Sequence, residues 1–264
     1  MDNNALIEQI KEYEDEYKTF MRIKEFPSYF IQTKEATAET ADARGFEVLA
    51  CADYIAENKQ HILTVSNNIH LDKFLMFHEF THMLDAETYV KSNKVIYFGI
   101  TGFTEYHASQ VALMQLLGAN NINDSIQFSM NDTINVFSGI KSVKQYIDEK
   151  QQHAIELFSR KDFAKDIKSL STSVGVLFNY FGIRSICEMY SNDYIENIDN
   201  QSFLKHISTQ HFVEMNNLMH GWLSNQDISQ CMIAYTNVVV PIAQAHRLFW
   251  FEENIWTQLF WIEK

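Results

Sequence analysis

The chain has little of what breaks or staples a fold. Two prolines and eight glycines in 264 residues leave few enforced helix ends, and too few turn formers for an all-β architecture. Three cysteines, Cys51, Cys187 and Cys231, are odd in number and far apart. Neither a disulfide framework nor a C-x-x-C metal ribbon can be built from them, and they suit a reducing compartment. Positive charge is scarce as well: 21 Lys and Arg against 34 Asp and Glu give a formal net charge of −13. Without a basic cluster there is no counterion release to hold a phosphate backbone, so nucleic acid is not an expected partner. The most apolar windows, "VGVLFNYFGI" at 174–183 and "CMIAYTNVVVPIA" at 231–243, fall short of the roughly 20 residues of a membrane span. They read as core helices, with no membrane partner. The opening "MDNNALIEQIKEYEDEYK" has acids where an export signal needs a basic start and an apolar run, which makes the cytoplasm the expected location.

What is abundant is apolar surface. Hydrophobic residues make up 46% and aromatics 14% of the sequence, enough for a core that closes without a metal or a disulfide. The expected fold class is mainly α with a small antiparallel sheet, an α+β arrangement. Three regions are expected: an N-terminal helical segment over 1–44, a catalytic core over 45–124, and a helical bundle region over 125–264 that can be continuous with the core. Apolar residues at Leu6, Ile10, Tyr13, Tyr17, Phe20 and Met21 predict a first amphipathic helix over 5–25. The polar stretch 34–45 reads as a linker or an exposed helix. "FEVLACADYI" and "HILTVS", separated by "AENKQ", predict an antiparallel pair. Asp72 is the expected N-cap of a helix that starts at "KFLMFHEFTHML". A short strand is expected at 95–98, a second helix from near Thr104 to Gly118, and long helices after residue 133. The aromatic run "FWFEENIWTQLFW" at 249–261 has helical spacing and reads as packed core.

Chemistry concentrates in "FLMFHEFTHMLD" at 74–85. His78 and His82 are four residues apart, so on a helix their imidazoles project from one face a turn apart and can reach one cation. Glu79 then stands beside the metal without ligating it, placed to take a proton from a water that the metal activates. Random placement of these residue types yields H-E-x-x-H roughly 0.03 times in a chain of this composition. An apolar helix also gains nothing by burying two histidines and a glutamate unless their desolvation is offset, which a divalent cation does. The third ligand is to be found among Glu105, His107 and Asp85. Glu105 is preferred because it opens a downstream helix after a Gly-containing turn. His107, two residues on, points roughly 200° away, so only one of the pair can face the metal.

"HEFTH" followed by "TEYHASQVALMQLL" resembles the gluzincin metallopeptidases. Within that group, the spacing of Glu105, Ala108, Ala112, Leu116 and Leu117 is similar to the ImmA/IrrE family. The segment "HEFTHMLD" separately resembles the Mlc titration factor family, where the glutamate lies much further on. The ImmA/IrrE-like resemblance covers about residues 45–118. It implies a zincin-like core, a Zn2+ ion held by His78, His82 and Glu105, Glu79 as general base, and a protein or peptide substrate. One position departs from the pattern: thermolysin-like members carry an aspartate four residues after the glutamate ligand, and here Ser109 stands there. Asp85, on the metal-facing side of its helix, is a substitute support for a ligand imidazole or a solvated acid at the helix end. Tyr89, Tyr97, Tyr106, His220 and His246 have the chemistry to stabilise an oxyanion. The remaining histidines, His153 and His61 among them, read as surface or hydrogen-bonded residues. The function expected is zinc-dependent hydrolysis of a peptide bond. The competing expectation, from another class, is a non-catalytic metal-binding or partner-binding protein on the same scaffold.

Overall fold

The computed structural model describes residues 3–35, 49–68, 70–197 and 200–248, and within them the fold is mainly helical with a small mixed sheet. Helix α1 (Asn3–Met21) buries Leu6, Ile10, Tyr17 and Phe20, the apolar stripe of its 3.6-residue period. It lies on α2 (Lys73–Asp85), where the Tyr17 hydroxyl donates to Thr81 Oγ1 at 3.1 Å. Edge-to-face contacts among Tyr17, Phe20, Phe26, Phe77 and Phe80 fill the seam between the two helices.

The sheet has the order β1-β3-β2, with β1 (Tyr29–Lys34) parallel and β2 (Ala50–Ile55) antiparallel to the central β3 (Gln60–Ser66). Along β3, His61, Leu63 and Val65 are buried while Ile62 and Thr64 are less so, the two-residue alternation of a half-buried strand. The expected antiparallel pair is present as β2 and β3. The sequence reading missed β1, because "YFIQTK" has no clear alternation and its partner is not local: the register Tyr29↔His61 to Lys34↔Ser66 joins segments about thirty residues apart. Residues 36–48, which include most of the proposed linker and the start of "FEVLACADYI", lie outside the described residues.

Two further expectations are corrected. Residues 95–98 form no strand. They belong to α3 (Lys94–Leu116), which begins ten residues before Thr104 because the Asn93 side chain accepts from the backbone N–H groups of Val95 and Ile96. Gly102, which reads as a breaker in sequence, serves close packing: a Cβ there would lie 2.8 Å from the Phe178 ring and 2.9 Å from the Tyr235 ring. The C-terminal end agrees better, with Gly118 at φ +81° just past the helix. The second correction concerns the region directly after residue 133, expected to be helical. Its start is a hairpin, β4 (Thr133–Val136) and β5 (Gly139–Ser142), and only then does α4 (Val143–Ser159) begin. Gly139 at φ +108° makes the turn, and a Ser142/Gln145 capping box starts the helix.

Helix α5 (Ile167–Tyr190) and helix α8 (Asn225–Ala245) pack on α3, and the short α6 (Gln201–Leu204) and α7 (Thr209–Leu218) join them. Both α3 and α5 are apolar on most sides, as befits helices covered all round. None of the described helices is long and apolar enough to cross a membrane. The aromatic run at 249–261 lies outside the described residues.

The closest approach of α3 and α5 is at Gly182, where a Cβ would stand 2.2 Å from the Tyr106 carbonyl oxygen. Backbone cannot yield as a side-chain tip can, so Gly182→Ala is expected to lower the unfolding free energy by about 3 kcal/mol. Urea denaturation measures this, and an unchanged midpoint would mean that the two helices can separate without loss.

Candidate metal centre

The site forms where α2 crosses α3. His82 projects from α2 and pairs through Nδ1 with Thr104 Oγ1 at 2.9 Å, and Thr104 immediately precedes Glu105 on α3. The tautomer that donates this bond from Nδ1 leaves the Nε2 lone pair free for a cation. His78 Nε2 and His82 Nε2 face each other at 3.0 Å, and Glu105 Oε2 lies 3.6 Å from the first and 3.7 Å from the second. These separations place the three atoms on a circle of radius about 2.0 Å, close to the ~2.0–2.2 Å ligand distances of zinc. Among the described residues, His78, His82 and Glu105 are the group of three His, Cys, Asp or Glu side chains able to hold a metal ion. The donor set, two imidazoles and a carboxylate, suits a divalent metal with a position left open.

Electrostatics favour the ligating forms. Burial is the main influence on His82 and lowers its pKa below the usual 6.5, so the ring is neutral at pH 7. Burial pushes Glu105 the other way, but His82, His78 and a hydrogen bond from Asn179 outweigh it and bring its pKa down to about 2. The carboxylate is therefore anionic.

Helix α5 supplies the support that the sequence reading sought elsewhere. Ser109 donates to Asn179 Oδ1 at 2.7 Å, and Asn179 is among the groups that hold the Glu105 carboxyl down. Gly175, one turn earlier on α5, leaves room for the ligand: a Cβ there would be 3.3 Å from Glu105 Oε1. Asp85 takes neither of the roles expected of it. It is buried, and its carboxylate accepts from His107 Nδ1 at 3.0 and 3.1 Å, so Asp85 and His107 partner each other and stand apart from the metal set. The His107 ring also stacks on Phe103, opposite in direction to Glu105 as the helical geometry requires.

Glu79 is buried, and its Oε2 accepts from the Ala52 backbone N–H at 2.7 Å. Ala52 is on β2, an edge strand of the sheet, so the bond ties the proposed base to a strand rim that lines the same cleft. Of the five oxyanion candidates, Tyr97 lines this cleft, and burial pushes its phenol up to about 12, which keeps it a proton donor. Tyr106 and His220 are engaged elsewhere, by the Gly221 carbonyl at 2.6 Å and the Glu188 carboxylate at 2.7 Å. Tyr89 packs edge-on to Phe103 and His246 to Phe163. The cleft also gathers His61, His153, Lys150 and Asn179, which sequence reasoning had not assigned to it. No spacing rule links them to residues 78–105. The one available signal was the capped amphipathic pattern of α4, which puts Lys150 and His153 on one face.

No family model, curated protein or solved structure matches this chain.

Asn179→Ala removes a polar neighbour that favours the anionic form of Glu105 without touching the metal-facing atoms. Its zinc affinity is expected to fall about 10- to 100-fold, as for other partners that orient a ligand. Competition with a chromophoric chelator measures this, and an affinity equal to that of the parent would remove Asn179 from the site.

Proposed function

We propose that the chain is a zinc-dependent metallopeptidase of gluzincin type, similar to the ImmA/IrrE family, with a zincin-like core and a protein or peptide substrate. The observation that carries this reading is the convergence of His78 Nε2, His82 Nε2 and Glu105 Oε2 in the cleft that also holds the Glu79 carboxylate. A structural zinc is closed by four protein ligands and has no use for a base beside it. When bound, zinc supplies Lewis acidity, lowering the pKa of a water toward about 7 and polarising the scissile carbonyl.

The chain's own residues do the rest. Glu79 takes the proton of the attacking water on its carboxylate and delivers it to the departing amide nitrogen. The Ala52 N–H fixes that carboxylate while the base waits, and β2, at the edge of the sheet among the described residues, offers backbone along which an extended peptide can lie. Tyr97 is a phenolic donor for the developing oxyanion. No disulfide joins Cys51, Cys187 and Cys231, which fits a cytoplasmic setting.

Two sets of variants test this. Glu79→Gln is expected to retain one zinc per chain by metal analysis while hydrolysis of a mixed peptide library falls at least about a hundredfold. His78→Ala and Glu105→Ala are expected to lose the metal. Zinc retained in Glu105→Ala would remove the third ligand, and a zinc-loaded parent that cleaves no peptide in the library would favour a binding protein instead.

A further inference from the structure

One wall of the cleft is made by α4, through Tyr146, Lys150 and His153, residues spaced four and three apart and therefore on one face of the helix. The Gln151 amide donates to the Tyr180 hydroxyl at 3.2 Å, so α4 meets the cleft beside Asn179, which lines it together with Glu105. Lys150 is half-buried, and its Nζ lies 5.2 Å from the centroid of the Tyr146 ring. That aromatic face positions the side chain but leaves its charge uncompensated.

Among the described residues Lys150 has no carboxylate partner, whereas Lys18, Lys73, Lys141 and Lys144 each have one. In a chain with 34 acidic and 21 basic side chains, a partly desolvated lysine left without an acid is unusual. His153 does not share the role, because burial, with the Lys150 charge added, lowers its pKa below 6.5 and leaves it neutral at pH 7. Lys150 is thus the cation of this wall, in the same cleft as a metal set that already contains its own anion.

We propose that Lys150 determines substrate specificity by receiving a carboxylate of the bound peptide, supplied by a free C-terminus or by an Asp or Glu side chain near the attacked bond. This inference rests on the peptidase reading. A carboxylate on a half-buried ammonium makes a charge-assisted bond, and its loss is expected to weaken binding about tenfold.

The test uses the zinc-loaded Glu79→Gln protein, which is to bind without turnover, and isothermal titration with three probes. These are N-acetyl-tetraalanine with a free carboxylate, its C-terminal amide, and the same amide with one alanine replaced by glutamate. At least one carboxylate-bearing probe is expected to bind about tenfold more tightly than the neutral amide. Adding Lys150→Met should erase that preference, and Lys150→Arg should keep it. Which probe is preferred tells a terminal from a side-chain carboxylate. Equal affinities, no binding of any probe, or a preference that survives Lys150→Met would each overturn the inference. Hydrolysis by the unsubstituted protein separates the two claims. Cleavage of the neutral amide as fast as of the acids sinks the role of Lys150 and spares the peptidase. Carboxylate-selective binding with no cleavage of any probe sinks the peptidase and spares the recognition.

Discussion

Two imidazoles and a carboxylate are half-buried together where α2 crosses α3, and the rest of the architecture is arranged around that partial desolvation. Each polar group taken from water into a helical core is unfavourable by several kcal/mol unless something compensates it. Within the protein the compensation is partial: the two Nε2 atoms, 3.0 Å apart, turn lone pairs or protons toward each other, and only Glu105 answers them. A divalent cation would resolve the arrangement by accepting from all three.

The elements that hold this crossing do so by close packing. Tyr17 and its aromatic neighbours fasten α2 to α1, while Gly102 and Gly182 let α8 and α5 approach α3 to distances that a side chain would prevent. Helix α5 then contributes more than bulk. Its Asn179 accepts from Ser109 and favours the anionic form of Glu105, and its Gly175 leaves the space in which the Glu105 carboxylate sits. A neutral amide does this without adding a further negative charge beside Glu105 and Glu79.

The cleft above the crossing has chemically distinct walls. The rim of β2 presents backbone and holds Glu79 through Ala52 N–H, whereas α4 presents Lys150 against the Tyr146 ring. One wall suits the repeating part of a peptide, which every sequence shares; the other suits a charge, which only some carry. Buried Asp85 and His107 sit outside this division, because each already has the other as partner.

The sequence by itself determined the features governed by spacing and composition. These are a mainly helical chain, the pairing of β2 with β3, and the placement of His78, Glu79 and His82 on one buried helix. They were legible because a four-residue separation on a helix has one geometric meaning, and because 3.6-residue and two-residue apolar periods are local. That Glu105 and His107 cannot both face the metal had the same origin, in the roughly 200° between them. Tertiary structure alone decided what depends on residues remote in the chain: the parallel pairing of β1 with β3, the partnership of Asp85 with His107, and the arrival of Asn179 and Lys150 in the cleft. It also decided that Asn93 starts α3 and that Gly102 lies within that helix, since packing against Phe178 and Tyr235 outweighs the weak helix preference of a glycine. Local preference amounts to at most about 1 kcal/mol per residue, and burial among several neighbours exceeds it.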